Sequence, residues 1–264
     1  SAVISELLRA GHEVIALARS EKSALKIESL GKDISVLRGD LENLTILKKG
    51  ASEAEGVIHL GFIHDFENFK KCCEIDRRAT IAILDSLVNS KKSFVYTNGV
   101  FTLPAGELSN ENTPCDPNAQ NFRGMTEEMA LAYKDKGVAV SCVRLAPTVH
   151  GKGDKGFIPM IMNVARSSKL SGYIGAGQNV WPAVHRLDAA HLYRLTLEKG
   201  RAGSVYHGVA EEGVKSKEIA EAIGIVLNVP VISIPVERAA EKFGFLGHFF
   251  ARDSPVSSER TRKE

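Results

Sequence analysis

From its first residue to about residue 145 the chain alternates helical periodicity with short apolar runs, and that alternation limits the possible folds more than any other feature. Ala2, Val3, Leu7 and Leu8 recur at helical spacing, and Gly11 ends the turn. Residues 13–18 then read as a strand, 21–30 as a helix, 34–37 as a strand and 44–49 as a short helix. Residues 56–60 form the next strand, and Cys72, Ile75, Ala79, Ile83 and Leu87 lay an apolar stripe along one long helix. A strand at 94–97, a polar loop containing proline, a helix at 123–136 closed by Gly137 and a strand at 138–144 complete the run. Strands separated by helices must run parallel, because only a crossover returns the chain to the same end of a sheet. Right-handed crossovers then put helices on both faces. The expected fold class is α/β, with a doubly wound parallel sheet.

After Pro147 the pattern loosens into a helix at 157–168, strands near 173 and at 183–186, a helix at 188–199 and a strand at 205–207. A helix at 217–227 and a strand at 231–234 precede a poorly patterned tail. Residues 1–150 are therefore expected to form a Rossmann-like domain and 151–264 a small mixed substrate lobe, with 183–199 packing back on the first part. A net charge of +2 over 264 residues gives a phosphate backbone or an anionic membrane no special hold, so neither nucleic acid nor membrane is an expected partner. No apolar run reaches the roughly 20 residues of a membrane helix, and no signal peptide is legible. Cys72 and Cys73 are adjacent, and Cys115 and Cys142 stand apart from any metal-ligand spacing. These features read as a cytoplasmic protein with free thiols and no metal, acting as a monomer or homodimer.

Ligands of parallel sheets bind at the carboxyl ends of the strands, which makes the residues just after each strand the informative ones. They run Ala18-Arg19-Ser20, Arg38-Gly39-Asp40-Leu41, His59-Leu60-Gly61-Phe62 and Tyr96-Thr97-Asn98-Gly99. Val143-Arg144-Leu145-Ala146-Pro147, Val184-His185-Arg186-Leu187-Asp188 and the ending Ser258-Glu259-Arg260-Thr261-Arg262-Lys263-Glu264 follow. In this order the series resembles the extended short-chain dehydrogenase/reductases, of the epimerase/dehydratase kind, over nearly the whole chain. The resemblance implies a Gly-rich TGxxGxxG fingerprint and a first strand immediately before Ser1, outside this sequence, so the chain is expected to be trimmed.

The resemblance implies a dinucleotide cofactor. Arg19, after the second strand of the family pattern, offers a planar cation to a 2′-phosphate, which favours NADP(H). Asp40 resembles the family residue that accepts the adenine amino group, with Leu41 against the ring; it also reads as the cap of a helix starting at Glu42. Gly61 lets backbone pass close to the cofactor, flanked by Leu60 and Phe62; Thr97 is a further cofactor-binding candidate, and Pro147 faces the nicotinamide. His59 reads as a satisfied core histidine.

Family catalysis uses a Ser or Thr after the fifth strand and a Tyr-xxx-Lys pair whose lysine lowers the tyrosine pKa. This chain contains no Tyr-xxx-Lys: Gly99 takes the serine position, Arg123 falls near the lysine and Ala119 near the tyrosine. It resembles an atypical branch that keeps the cofactor fold without the standard catalytic groups. The candidate replacements are His150 as proton donor, Asn98 binding a carbonyl or water, Arg123 holding ribose hydroxyls, and His64 in the loop facing the cleft. His185 reads either as a pocket wall or as a structural partner of Asp188. Residues 151–156 carry Gly and Lys without P-loop spacing and read as a flexible turn, which the resemblance places beside the substrate. The expected function is NADPH-dependent reduction of a small aldehyde or ketone. A non-catalytic NADP(H)-binding sensor and a sugar-nucleotide epimerase or dehydratase are the alternatives.

Overall fold

The computed structural model describes residues 2–117 and 122–264. Ala119, which the sequence places at the family tyrosine position, lies outside the described residues. The first stretch runs α1 (Ala2–Arg9), β1 (Val14–Ala18), α2 (Glu21–Glu28), β2 (Ile34–Arg38), α3 (Leu44–Glu53), β3 (Gly56–His59), α4 (Phe69–Ser86) and β4 (Ser93–Gly99). It continues with α5 (Phe122–Leu131), β5 (Ala139–Leu145), β6 (Thr148–His150), α6 (Phe157–Ser168), β7 (Ser171–Ile174), β8 (Val180–His185) and α7 (Arg186–Lys199). Then come β9 (Val205–Gly208), β10 (Glu211–Lys215), α8 (Ser216–Leu227), β11 (Val231–Ile234), α9 (Ala239–Phe243), α10 (Leu246–Phe250) and α11 (Glu259–Lys263).

These elements divide into two compact units. The first comprises Ser1–Asn98, Pro117–Arg144 and Leu187–Tyr206. Its parallel pair β1 and β2 runs in register from Val14 opposite Ile34 to Ala18 opposite Arg38. Four further strands are ordered β3-β4-β5-β9, with β3 parallel to β4. Apolar faces of α3, α4 and α5 meet this sheet in a core of Leu47, Ile83, Leu84, Phe94, Val140 and Cys142. The fold is thus the α/β Rossmann-like arrangement that the alternation requires.

Local chemistry sets several boundaries. Ser20 caps α2 by accepting the Ser23 N–H at 3.2 Å. The helix expected at 123–136 is α5 followed by a tighter 3₁₀ turn at Ala132–Lys136, and Gly137 ends it at φ +76°.

The second unit comprises Gly99–Asp116, Leu145–Arg186 and His207–Glu264. Here β8 is flanked by antiparallel β10 and parallel β6, and β7 pairs with β11. Its core gathers Ile161, Trp181, Ile223, Ile234, Phe243 and Phe250. The tail that carries no pattern in sequence folds into α9, α10 and α11. Two strands are absent from the sequence reading: β6 is three residues long, and β10, with the sequence Glu-Glu-Gly-Val-Lys, shows no apolar alternation. Among the described residues no helix is long and apolar enough to cross a membrane.

Candidate functional site

Two arginines at the ends of neighbouring strands in the first unit, Arg19 just after β1 and Arg38 closing β2, meet different fates. Arg38 is taken up by acids of α2, with Nη1 2.7 Å from Glu21 and Nη2 4.0 Å from Glu28. Arg19 is exposed, sits directly before the α2 cap, and makes no hydrogen bond or ion pair among the described residues. Its guanidinium is therefore open to a ligand anion beside a helix N-terminus.

Asp40 uses one oxygen on backbone, with Oδ1 accepting the N–H groups of Glu42 at 2.9 Å and Asn43 at 3.1 Å. The expected helix cap at Asp40 is corrected to Asn43, whose Oδ1 accepts the Ile46 N–H at 3.2 Å, because α3 starts at Leu44 rather than Glu42. Asp40 Oδ2 keeps its lone pairs. Gly61 has a packing reason of its own: a Cβ there would lie 2.7 Å from Leu41 Cδ2. The loops after β2 and β3 therefore touch. Leu60 is exposed beside them, while the Phe62 ring anchors an aromatic group with His64 at 5.2 Å and Phe69 at 5.8 Å.

Arg123 of α5 lies over that ring, its guanidinium 4.3 Å from the Phe62 centroid. One Nη2–H donates to the Thr97 carbonyl, and Nε lies 4.0 Å from Asp76 Oδ2. Asp76 is in turn the acceptor of the Tyr96 hydroxyl at 2.7 Å and lies 2.9 Å from His59 Nε2. Burial opposes the Arg123 charge, but Tyr96 and Asp76 outweigh it, so its pKa is raised and the cation is permanent. Burial and then Asp76 push the Tyr96 phenol well up, which keeps it a protonated donor. Covering of the His64 ring and then the Arg123 charge hold that imidazole below its ordinary pKa. Tyr193 of α7 donates its hydroxyl to Thr97 Oγ1 at 2.9 Å, and burial raises its pKa.

Asn98 lies one layer deeper. It is 1% exposed and donates from Nδ2 to Glu127 Oε2 at 2.6 Å. Arg144 grips the same carboxylate, with Nε 3.0 Å from Oε1 and a second bond from Nη2, and Cys142 Sγ adds a contact at 3.4 Å. Burial alone would raise the Glu127 pKa, yet the Arg144 hydrogen bonds and charge, with Asn98, hold it low.

In the second unit His150 lies opposite His185 in the β6–β8 register, with ring centroids 5.4 Å apart. Gly151 has φ +136°, and a Cβ there would lie 2.8 Å from His185 Nε2. The loop that follows is closed by Asp154, which takes the Gly156 N–H at 2.7 Å. Pro147 lies between β5 and β6, partly exposed.

Sequence reasoning names Arg19, Asp40, Phe62, His64, Thr97 and Arg123 among its candidates, and the fold brings Phe62, His64, Thr97 and Arg123 together. It misses Asp76, Tyr96 and Tyr193. An acid four residues after Cys72 within an apolar stripe was the available sign for Asp76; Tyr193 carries none, since only the fold brings α7 to β4.

Strand-end loops carry an exposed arginine, an aspartate with one oxygen on backbone, and an aromatic ring on which an arginine is stacked, all within a Rossmann-like fold. A model of the NAD dependent epimerase/dehydratase family matches residues 1–208, and the chain belongs to that family. An uncharacterized protein of Saccharomyces cerevisiae is 57% identical over 264 residues, covering 100% of this chain and 89% of that one. The fold is similar to a dTDP-glucose 4,6-dehydratase from Streptomyces venezuelae solved with NAD, at a TM-score of 0.75 and 18% identity over 99% of this chain and 86% of that one. A human epimerase family protein solved with NADPH is similar at a TM-score of 0.72 and 18% identity, over 99% of this chain and 88% of that one.

Proposed function

We propose that the chain is an NADPH-dependent reductase of a small aldehyde or ketone. The observation that carries this reading is Arg19, an exposed cation after β1 with no acid engaged among the described residues. An acid there would bind ribose hydroxyls and repel a 2′-phosphate, whereas a guanidinium attracts it. The similar human protein was solved with NADPH and the Streptomyces dehydratase with NAD, so the family fold accommodates both and the strand-end residue decides.

Asp40 Oδ2 would accept the adenine amino group with Leu41 against the ring, and Leu60, Gly61, Phe62 and Thr97 would line the remainder within the first unit. Bound NADPH supplies the hydride. Arg123, pinned by Thr97, Asp76 and Phe62, would hold the ribose hydroxyls of the bound cofactor, at the position near which the family pattern has lysine. Its charge is fixed, so it orients and polarises but donates no proton at neutral pH. The proton required by the new alkoxide comes from His150 or ordered water, with His64 a neutral hydrogen-bonding group of the loop after β3. Loss of the usual tyrosine slows such a reaction without abolishing it, because positioning and a polarised carbonyl supply much of the acceleration.

The test is turnover: full-length protein with NADPH and a panel of aldehydes and ketones, followed at the nicotinamide absorbance. The reading expects oxidation of NADPH that falls at least tenfold in His150→Ala or Arg123→Leu. A second reading, an NADP(H)-binding sensor without turnover, draws on Gly99. Among the described residues, a Cβ there would meet nothing closer than the Leu145 carbonyl at 3.9 Å, so their packing does not exclude the catalytic serine from that position. Saturable NADPH binding with a silent panel would favour the sensor over the reductase.

A further inference from the structure

We propose that His150, His185 and Arg186 form an oxyanion-binding site within the second unit, and that the ligand it serves carries a carboxylate or a phosphate. The proposal deepens the reductase reading by giving its carbonyl substrate a charge, and rests on that reading only for the carbonyl.

Parallel β6 and β8 pair Val149 with Val184 and His150 with His185, so the two imidazoles leave the sheet as neighbours, 5.4 Å between centroids. Arg186 comes next in the chain and lies back over Gly151. A Cβ on Gly151 would lie 3.0 Å from Arg186 Cγ, 3.1 Å from Arg186 Cδ and 2.8 Å from His185 Nε2. The glycine therefore admits the imidazole and the arginine stem together, and its φ of +136° excludes other residues on backbone grounds as well.

Arg186 Nε is buried without a hydrogen-bond partner, and Arg186 makes no ion pair among the described residues. Buried donors are almost always satisfied, and a buried cationic donor costs most when it is not. Nothing in the neighbouring loop compensates it. Asp154, the only acid in residues 151–156, spends Oδ1 on the Gly156 N–H, while Lys152 and Lys155 are exposed and without ion pairs among the described residues. A fork of guanidinium N–H groups beside two imidazoles matches the geometry of carboxylate and phosphate oxygens. The added lysines raise the local anion concentration.

Calorimetric titration of the full chain with inorganic phosphate and with pyruvate, without NADPH, tests this. All titrations use the Arg19→Gln background, so that phosphate does not report on the cofactor position. Saturable binding of at least one probe is expected, weakened at least tenfold by Arg186→Gln and less by Arg186→Lys, with His185→Gln giving a severalfold loss if Arg186→Gln fails to fold. Preference for phosphate or for pyruvate assigns the source of the oxyanion. No saturable binding of either probe, or binding that these substitutions leave unchanged, would overturn the proposal. A silent carbonyl panel would count against the reductase while leaving the titration intact. With turnover, anionic carbonyl compounds should exceed neutral isosteres at least tenfold in kcat/KM, an advantage that Arg186→Gln removes.

Discussion

Replacing Glu127 with Gln would remove the one carboxylate to which Asn98, Arg144 and Cys142 are all bonded. Glu127 is 2% exposed and Arg144 3% exposed, so water does not repair the loss. The variant keeps the shape of the side chain but takes from the buried Arg144 guanidinium the carboxylate charge it is paired with. Breaking a buried pair in this way costs about 3–5 kcal/mol, several times an ordinary hydrogen bond. Urea unfolding followed by circular dichroism reads the cost, and the midpoint should fall accordingly.

The sign with pH follows from the lowered Glu127 pKa. Its stabilisation is present above the unfolded carboxylate pKa and is lost as pH falls through the folded one, so wild type and variant should converge under acid. Glu127→Leu combined with Arg144→Met should recover much of the loss, since an apolar pair replaces both charges. A single-variant loss under about 1 kcal/mol, or a gap that widens under acid, would refute the reasoning.

Gly99→Ser should fold normally, with stability within about 0.5 kcal/mol of wild type by thermal melting, because its backbone is extended and its Cβ direction is open. A larger loss would mean that the glycine serves packing. Gly151→Ala should destabilise by about 1–3 kcal/mol and shift the His185 ring signals by NMR, given the positive φ and the 2.8 Å approach; unchanged signals would contradict the close packing. Alkylation of the native protein followed by mass spectrometry should modify Cys115 before Cys72, Cys73 and Cys142, since those three are buried and burial pushes the Cys73 thiol up to about 12. Labelling of Cys73 first would contradict its placement. The His64 imidazole should titrate below the ordinary histidine value by NMR, and Arg123→Leu should raise its midpoint.

Period and polarity made most of this fold legible. The helix at 157–168 and the strand at 231–234 match the sequence reading residue for residue, because each is bounded by turn chemistry and patterned toward a core. β6 and β10 were illegible, one too short for a period and the other polar on both faces. Among the proposed site residues, Arg19 stands out in sequence because it directly follows a strand. The role of Gly61 was only partly readable, since its close neighbour is Leu41, twenty positions away. The Asp76–Tyr96–Arg123 network needs three elements in register, and no local pattern encodes that.

The most direct measurement is the affinity of the full-length protein for NADPH and for NADH by calorimetry, in wild type and Arg19→Gln. A charge-assisted arginine–phosphate contact of about 1.5–3 kcal/mol corresponds to a preference of roughly ten- to a hundredfold for NADPH, which the substitution should abolish while leaving NADH binding unchanged. Equal affinities in the wild type, or a preference that survives Arg19→Gln, would contradict the account.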